Sequence, residues 1–238
     1  MDEQKTVVVA GGGSGIGKAV ARACAQAGYA VAVLGRTGAR LDATRDELVA
    51  LGARSIAIVA DLADEPQVER AFAEVDRFSP RLDVLVNSTG VFAYRPVTEM
   101  TLETWDRVIA STLTAPFLCA REAFRRMQRQ RSGRIINIGS TSAKRVRPDA
   151  IAYSAAKHGI WGLTQSLALE GRPHRVNCTC INPGRVSVER VHLDGCDEPA
   201  MSVDEFATVV LSVCQLPDHV NLLEATVMHQ GQPFVGRG

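Results

Sequence analysis

The sequence predicts an α/β protein, a doubly wound sheet of seven strands, mostly or fully parallel, with helices on both faces. Three observations carry this. Short β-rich runs alternate with helical patterns along the whole chain, which calls for right-handed crossovers and a parallel sheet. The valine-rich runs are continuous rather than alternating, as in strands buried on both sides. A glycine-rich loop also sits between the first strand-like run and the first helical pattern. With 238 residues and no Ser/Pro-rich linker, repeat or low-complexity tract, a single domain over 1–238 is expected.

In chain order the strands are expected at 6–10, 30–34, 55–60, 84–87, 134–138 and 175–181, with a weaker one at 222–228. Helical patterns lie between them at 16–27, 39–51, 65–78, 102–129, 151–170 and 202–215. Pro116 falls inside the pattern at 102–129. A proline lacks the amide donor and collides with the preceding turn, so it should kink or break that helix.

Bulk properties exclude several classes. A net charge of +1 gives no general pull towards nucleic acid or a membrane surface. Residues 1–5 are mostly polar or charged, with no apolar signal core, and no later run is long and apolar enough to span a bilayer. The basic run at 125–131 ends a helix and has no interleaved aromatics, so a solvated helix end is expected there. Cys24, Cys119, Cys178, Cys180, Cys196 and Cys214 are scattered, and no second ligand pair accompanies Cys178-x-Cys180. Reduced thiols in a cytoplasmic protein without a metal site are the expectation.

The glycine loop admits two phosphate-binding readings. A triphosphate loop needs Ser or Thr after its lysine to ligate magnesium, but Ala19 follows Lys18. A dinucleotide turn needs only Gly11, Gly15 and Gly17 between a strand and a helix, so that the backbone can approach a pyrophosphate at the helix N-terminus. A bare strand–helix turn uses the same glycines, and the strand–loop–helix–strand context argues against it. At the end of the second strand, where an NAD site carries an acidic residue for the ribose 2′-hydroxyl, stands Arg36, with Arg40 one turn later. A guanidinium pairs with a 2′-phosphate, which favours NADP and leaves NAD open; a solvated turn arginine is the alternative.

Tyr153 and Lys157 are four positions apart in a helical pattern and share one face. A tyrosine with an ordinary pKa of about 10 exchanges protons poorly at neutral pH, and a nearby ammonium favours its phenolate.

Taken with further motifs, the chain resembles the short-chain dehydrogenase/reductase family, single-domain Rossmann-fold oxidoreductases, over essentially its whole length. The matching motifs are Gly11-Gly12-Gly13-Ser14-Gly15-Ile16-Gly17, Asp61-Leu62, Asn87-Ser88-Thr89-Gly90, Ser140, Tyr153-Ser154-Ala155-Ala156-Lys157 and Asn182-Pro183-Gly184, in the family's order. The resemblance implies an enzyme that interconverts a carbonyl and a secondary alcohol with a nicotinamide cofactor. Tyr153 would be the general acid/base. Lys157 would hold the nicotinamide ribose and lower the tyrosine pKa, and Ser140 would hydrogen-bond the substrate oxygen. Gly11, Ser14, Gly15, Ile16 and Gly17 would form the phosphate turn, and Asp61 and Leu62 would flank the adenine. Asn87, Ser88 and Gly90 would support the middle of the cofactor, and Pro183, Gly184 and Val186 would lie against the nicotinamide.

The chain departs from the family pattern in three places. Thr112 stands where the family has a catalytic asparagine, which puts the water-linked proton relay in doubt. Val188 replaces a threonine that binds the carboxamide, a contact Ser187 could partly replace. Thr89 replaces a small alanine. These departures sustain a second reading, an NADP(H)-binding sensor or partner-binding protein with weakened catalysis.

The substrate crevice is expected in the loops 91–97, 141–150 and 185–200. They carry Tyr94, Arg95, Lys144, Arg145, Arg147, Arg185, Arg190 and His192. The basic residues among them fit an anionic substrate or an acyl group delivered on an acidic carrier or, more economically, solvated loops. Ala152, Ala155, Ala156, Gly159 and Gly162 give the helix at 151–170 a side open to close approach. Phe117, Leu118, Phe124 and Met127 look surplus to what one sheet face can bury. With the family resemblance, this points to a homo-oligomer, a tetramer or a dimer, paired through these two helices.

Overall fold

The computed structural model describes residues 4–188 and 198–233. Its strands are β1 (Thr6–Ala10), β2 (Ala30–Gly35), β3 (Ser55–Val59), β4 (Val84–Asn87), β5 (Gly133–Ile138), β6 (Val176–Pro183), β7 (Val186–Ser187), β8 (Met201–Ser202) and β9 (Glu224–Val227). The helices are α1 (Gly15–Gln26), α2 (Gly38–Ala50), α3 (Glu65–Phe78), α4 (Leu102–Ile109), α5 (Ala115–Gln130), α6 (Ile151–Gly171) and α7 (Val203–Cys214). Seven strands form one sheet in the order β3-β2-β1-β4-β5-β6-β9, and every neighbouring pair is parallel. The doubly wound fold expected from the sequence is the one observed.

Alternation of side chains along each strand explains the unbroken apolar runs. Val7, Val9, Val31 and Val33 face one core, filled by α1 and α7 through Val20, Cys24, Phe206 and Val210. Val8, Ala10, Ala32 and Leu34 face the other, filled by α3 and α5 through Val68, Phe72, Leu118 and Met127. Burying both faces removes any call for a polar residue at alternate positions. The succession of strands reverses direction between β1 and β4, so the loops leaving these two strands diverge and open a crevice at their carboxyl ends.

One expectation about the helices holds and two need correction. Pro116 does interrupt the long helix, as expected: α4 stops at Ile109 and α5 restarts at Ala115. A π-helical turn over Ala110–Thr114 separates the two, and the proline sits within the first two positions of α5, where a missing N–H is tolerated. Leu118 and Met127 are not surplus but buried against the sheet, whereas Phe117 is exposed beneath the Arg121 guanidinium. The basic run is not simply solvated either: Arg126 forms a two-pronged pair with Asp76, at 2.7 and 2.8 Å, and reaches Glu122 at 2.9 Å.

The small pairing of β7 with β8 had no signal in the sequence. Cys24, Cys119, Cys178, Cys180 and Cys214 are buried and free, while Cys196 lies outside the described residues. Among the described residues no cluster could hold a metal ion, and no helix is long and apolar enough to cross a membrane.

Candidate active site

The loop between β1 and α1 is folded for close approach. Gly11 takes φ +85°, and a Cβ there would come within 2.7 Å of Ser88 O; a Cβ on Gly17 would overlap Gly11 O. The loop therefore lies hard against the end of β4, where Ser88 N donates to Ala10 O at 2.9 Å. The start of α1 carries no cap of its own. Ser14 makes no side-chain capping bond, and the first turn holds no acidic residue. By contrast, Asp64 caps α3, Thr101 caps α4, and Ser202 with Glu205 closes a capping box on α7. The open amides of α1 suit an anion such as a pyrophosphate. The beginning of α2 is equally open: Thr37 makes no capping bond and no acidic residue follows in the first turn. Arg36 and Arg40 beside it are exposed, and neither forms an ion pair among the described residues.

Asp61 follows β3, its Oδ1 accepting from Ala63 N at 3.0 Å and its N–H donating to Gln67 Oε1 at 2.9 Å. Leu62 is buried in the core beside it. At the end of β4, Asn87 donates to Asn137 Oδ1 at 2.9 Å, and Asn137 donates to Thr164 Oγ1 at 2.9 Å. This buried polar chain ties β4, β5 and α6 together beneath the crevice. Asn87 Oδ1 and Thr89 Oγ1 are left without partners among the described atoms, acceptors that a bound ligand could satisfy. Thr112 is fully buried in the π-helical turn, where its hydroxyl accepts from Val91 N at 3.3 Å. It braces the turn after Gly90.

Ser140 closes β5, and Tyr153 and Lys157 stand one turn apart on α6. Tyr153 is 8 % exposed and Lys157 4 %. Ser142 N donates to Ser140 Oγ at 3.1 Å, which occupies a lone pair and leaves the serine proton free to point elsewhere. Burial holds the Tyr153 phenol well above its ordinary pKa; a hydrogen bond with Ser140 works against this, Tyr94 adds to it, and the Arg147 charge opposes it. Burial brings the Lys157 ammonium down from 10.5 to about 8, with Cys180 opposing the fall. Spacing had suggested Lys157 as the group that lowers the tyrosine. Here its Nζ donates to Ile138 O at 2.7 Å and lies 5.6 Å from the tyrosine ring centroid, and the rise is opposed by Ser140 and Arg147 instead.

The sequence profile of the short chain dehydrogenases matches residues 5–195 of this chain. The chain belongs to the short-chain dehydrogenase family. A 3-oxoacyl-[acyl-carrier-protein] reductase of Synechocystis sp. is 36% identical over 187 residues, covering 78% of this chain and 75% of that protein. Among solved structures, acetoin dehydrogenase from Enterobacter cloacae superposes with a TM-score of 0.87 at 29% identity, covering 96% of this chain and 95% of that one. Levodione reductase gives a TM-score of 0.88 at 26% identity, covering 94% and 95%.

The remaining site residues of this short-chain dehydrogenase fall as follows. Pro183 ends β6 and Gly184 follows it, with Gly184 N donating to Val227 O at 2.8 Å. Val186 pairs with Met201, and Val188 lies over the glycine loop, its Cγ1 3.4 Å from where a Cβ on Gly15 would be. Ser187 is exposed. Of the basic loop residues, Lys144 pairs with Glu224 at 2.8 Å, Arg147 meets Glu198 at 3.5 Å, and Arg145 and Arg185 are also engaged. Arg190 and His192 lie outside the described residues. Sequence reasoning gave no role to Phe92, whose ring sits 4.5 Å from that of Tyr153 and stacks with Tyr94 at 6.4 Å. It also missed Asn137; a lone asparagine in an apolar strand was the available signal.

Proposed function

We propose that this chain is an NADP(H)-dependent oxidoreductase that interconverts a small, neutral carbonyl compound and its secondary alcohol. The observation carrying this is the buried group of Ser140, Tyr153 and Lys157 beside a crevice onto which the uncapped start of α1 opens. Gly11, Ser14, Gly15, Ile16 and Gly17 would hold the pyrophosphate. Arg36, with the open first turn of α2, would hold the 2′-phosphate. Asp61 and Leu62 would flank the adenine, Asn87, Ser88 and Gly90 the middle of the cofactor, and Pro183, Gly184 and Val186 the nicotinamide. The bound dinucleotide supplies the hydride.

The chain's own residues manage position and protons. In reduction the substrate oxygen gains negative charge, and Tyr153 gives it a proton. At neutral pH the phenol holds its proton, and the hydrogen bond with Ser140 and the Arg147 charge oppose the rise that burial causes, which favours giving the proton up. Ser140, its acceptor side engaged by Ser142 N, donates to the same oxygen and stabilises the developing charge. Lys157 would turn from Ile138 O to hold the ribose hydroxyls. Thr112, engaged with Val91 N, serves as a brace for the crevice rather than a proton carrier.

A neutral substrate is favoured because Lys144 and Arg147 already have carboxylate partners, and because Phe92 and Tyr94 offer apolar faces beside Tyr153. The likeness to an acetoin dehydrogenase and a levodione reductase points the same way. We also place the protein in the cytoplasm as a homotetramer. The exposed Ala155, Gly162 and Leu169 of α6 and the exposed Phe117 of α5 support pairing through these helices. NADPH oxidation across a panel of neutral ketones and diketones tests the activity. Tight NADPH binding with no turnover of any of them would replace the enzyme with a sensor.

A further inference from the structure

We propose that Glu224 is a positioning residue for Ser140, acting through Asn182; the catalytic consequence rests on the oxidoreductase reading, the structural one does not. Glu224 begins β9, the edge strand, and its Oε1 accepts from Asn182 Nδ2 at 2.8 Å and from Lys144 Nζ at 2.8 Å. A carboxylate only accepts hydrogen bonds, so it forces the Asn182 amide to present its NH₂ outward and its oxygen inward. That oxygen accepts from Ser140 N at 3.0 Å and from Cys180 Sγ at 3.4 Å. The arrangement depends on Gly139, because a Cβ there would overlap Asn182 Oδ1. Asn182 is 1 % exposed, so its amide is held by these protein partners rather than by solvent.

The carboxylate thus sets which way the amide faces, and the amide sets the backbone at Ser140, whose hydroxyl meets Tyr153. Lys144, held by the same oxygen, anchors the loop between Ser140 and α6, so both approaches to the catalytic pair converge on Glu224. Without it, Asn182 is free to flip and set its NH₂ against the Ser140 N–H, donor facing donor.

Amide hydrogen exchange on wild type, Glu224→Gln and Glu224→Ala tests this without any turnover. Ser140 N–H should exchange about tenfold faster in Glu224→Ala, the loss of roughly one neutral hydrogen bond. Gly139 N–H, which donates to Ile181 O at 2.8 Å, should be unchanged. Glu224→Gln, which keeps an acceptor for Asn182, should restore protection. Unchanged Ser140 exchange in Glu224→Ala overturns the proposal, as does equal loss at Gly139, the mark of general loosening. With any ketone that wild type reduces, Glu224→Ala should lower kcat about tenfold, leave NADPH affinity alone, and have no further effect in a Ser140→Ala background. Additive losses would contradict the link to Ser140. Failure of wild type to reduce any ketone bears on the oxidoreductase reading, and the exchange result still decides the positioning role.

Discussion

Replacing Arg36 with aspartate should reverse the cofactor preference. Arg36 is exposed, has no ion pair to break among the described residues, and stands at the open start of α2. Its bond to a 2′-phosphate is charge-assisted, a class worth about 1.5–3 kcal/mol. Removing it, as in Arg36→Ala, should weaken NADPH binding about 10- to 100-fold. Aspartate adds repulsion: about 0.7 kcal/mol per charge at ~6 Å in water, against a phosphate of nearly two charges. That is roughly another factor of ten, so NADPH should lose about 100- to 1,000-fold in Arg36→Asp. NADH, with no 2′-phosphate, escapes both penalties, and its ribose hydroxyl gains an acceptor. Fluorescence titration of both cofactors with wild type, Arg36→Ala and Arg36→Asp measures this. The wild-type advantage for NADPH should shrink at high salt, because the pair is exposed. Tighter binding of NADH than NADPH by wild type would refute the reasoning outright.

Tyr153→Phe should abolish turnover and leave NADPH binding nearly intact, since it removes only the exchangeable proton. Lys157→Ala should damage both, and substantial residual turnover in Tyr153→Phe would rule out the acid/base role. The stability of the cofactor-free protein should also depend on Lys157. Its pKa falls from 10.5 to about 8 on folding, so the folded state binds fewer protons between those values and stability rises with pH through that window. Lys157→Met should remove this rise, seen as a narrowing gap between the two proteins' unfolding midpoints from pH 8 to 10.5. A constant gap would contradict the burial argument. Light scattering over a dilution series should give an oligomer. Phe117→Glu with Leu169→Glu should lower its mass, since these exposed apolar groups lie on the two helices proposed to pair; a wild-type monomer at micromolar concentration excludes the assembly.

The sequence by itself determined the seven strands of the parallel sheet and the helical segments between them, because those are written in local pattern. Valine runs without alternation require two covered faces, and Gly11 and Gly17 require a backbone that approaches another backbone. The order of motifs was enough to propose Ser140, Tyr153 and Lys157 as a group. What the sequence left undecided is what depends on direction in space. Spacing put Lys157 on the same face as Tyr153, but only the packed structure turns its ammonium to Ile138 O, 5.6 Å from the ring centroid. Lys144 and Arg147 looked like free cations until folding brought Glu224 and Glu198 to them from far along the chain. Pro116 read correctly as a break, but the form of the break, one π-helical turn between α4 and α5, is set by the packed chain. Asn182 was visible as part of a motif, but its work depends on a carboxylate from the edge strand, 42 residues on. Local pattern fixes which groups each element carries. Only tertiary packing decides which of them meet, because burial and hydrogen bonding are settled between elements that the sequence keeps apart.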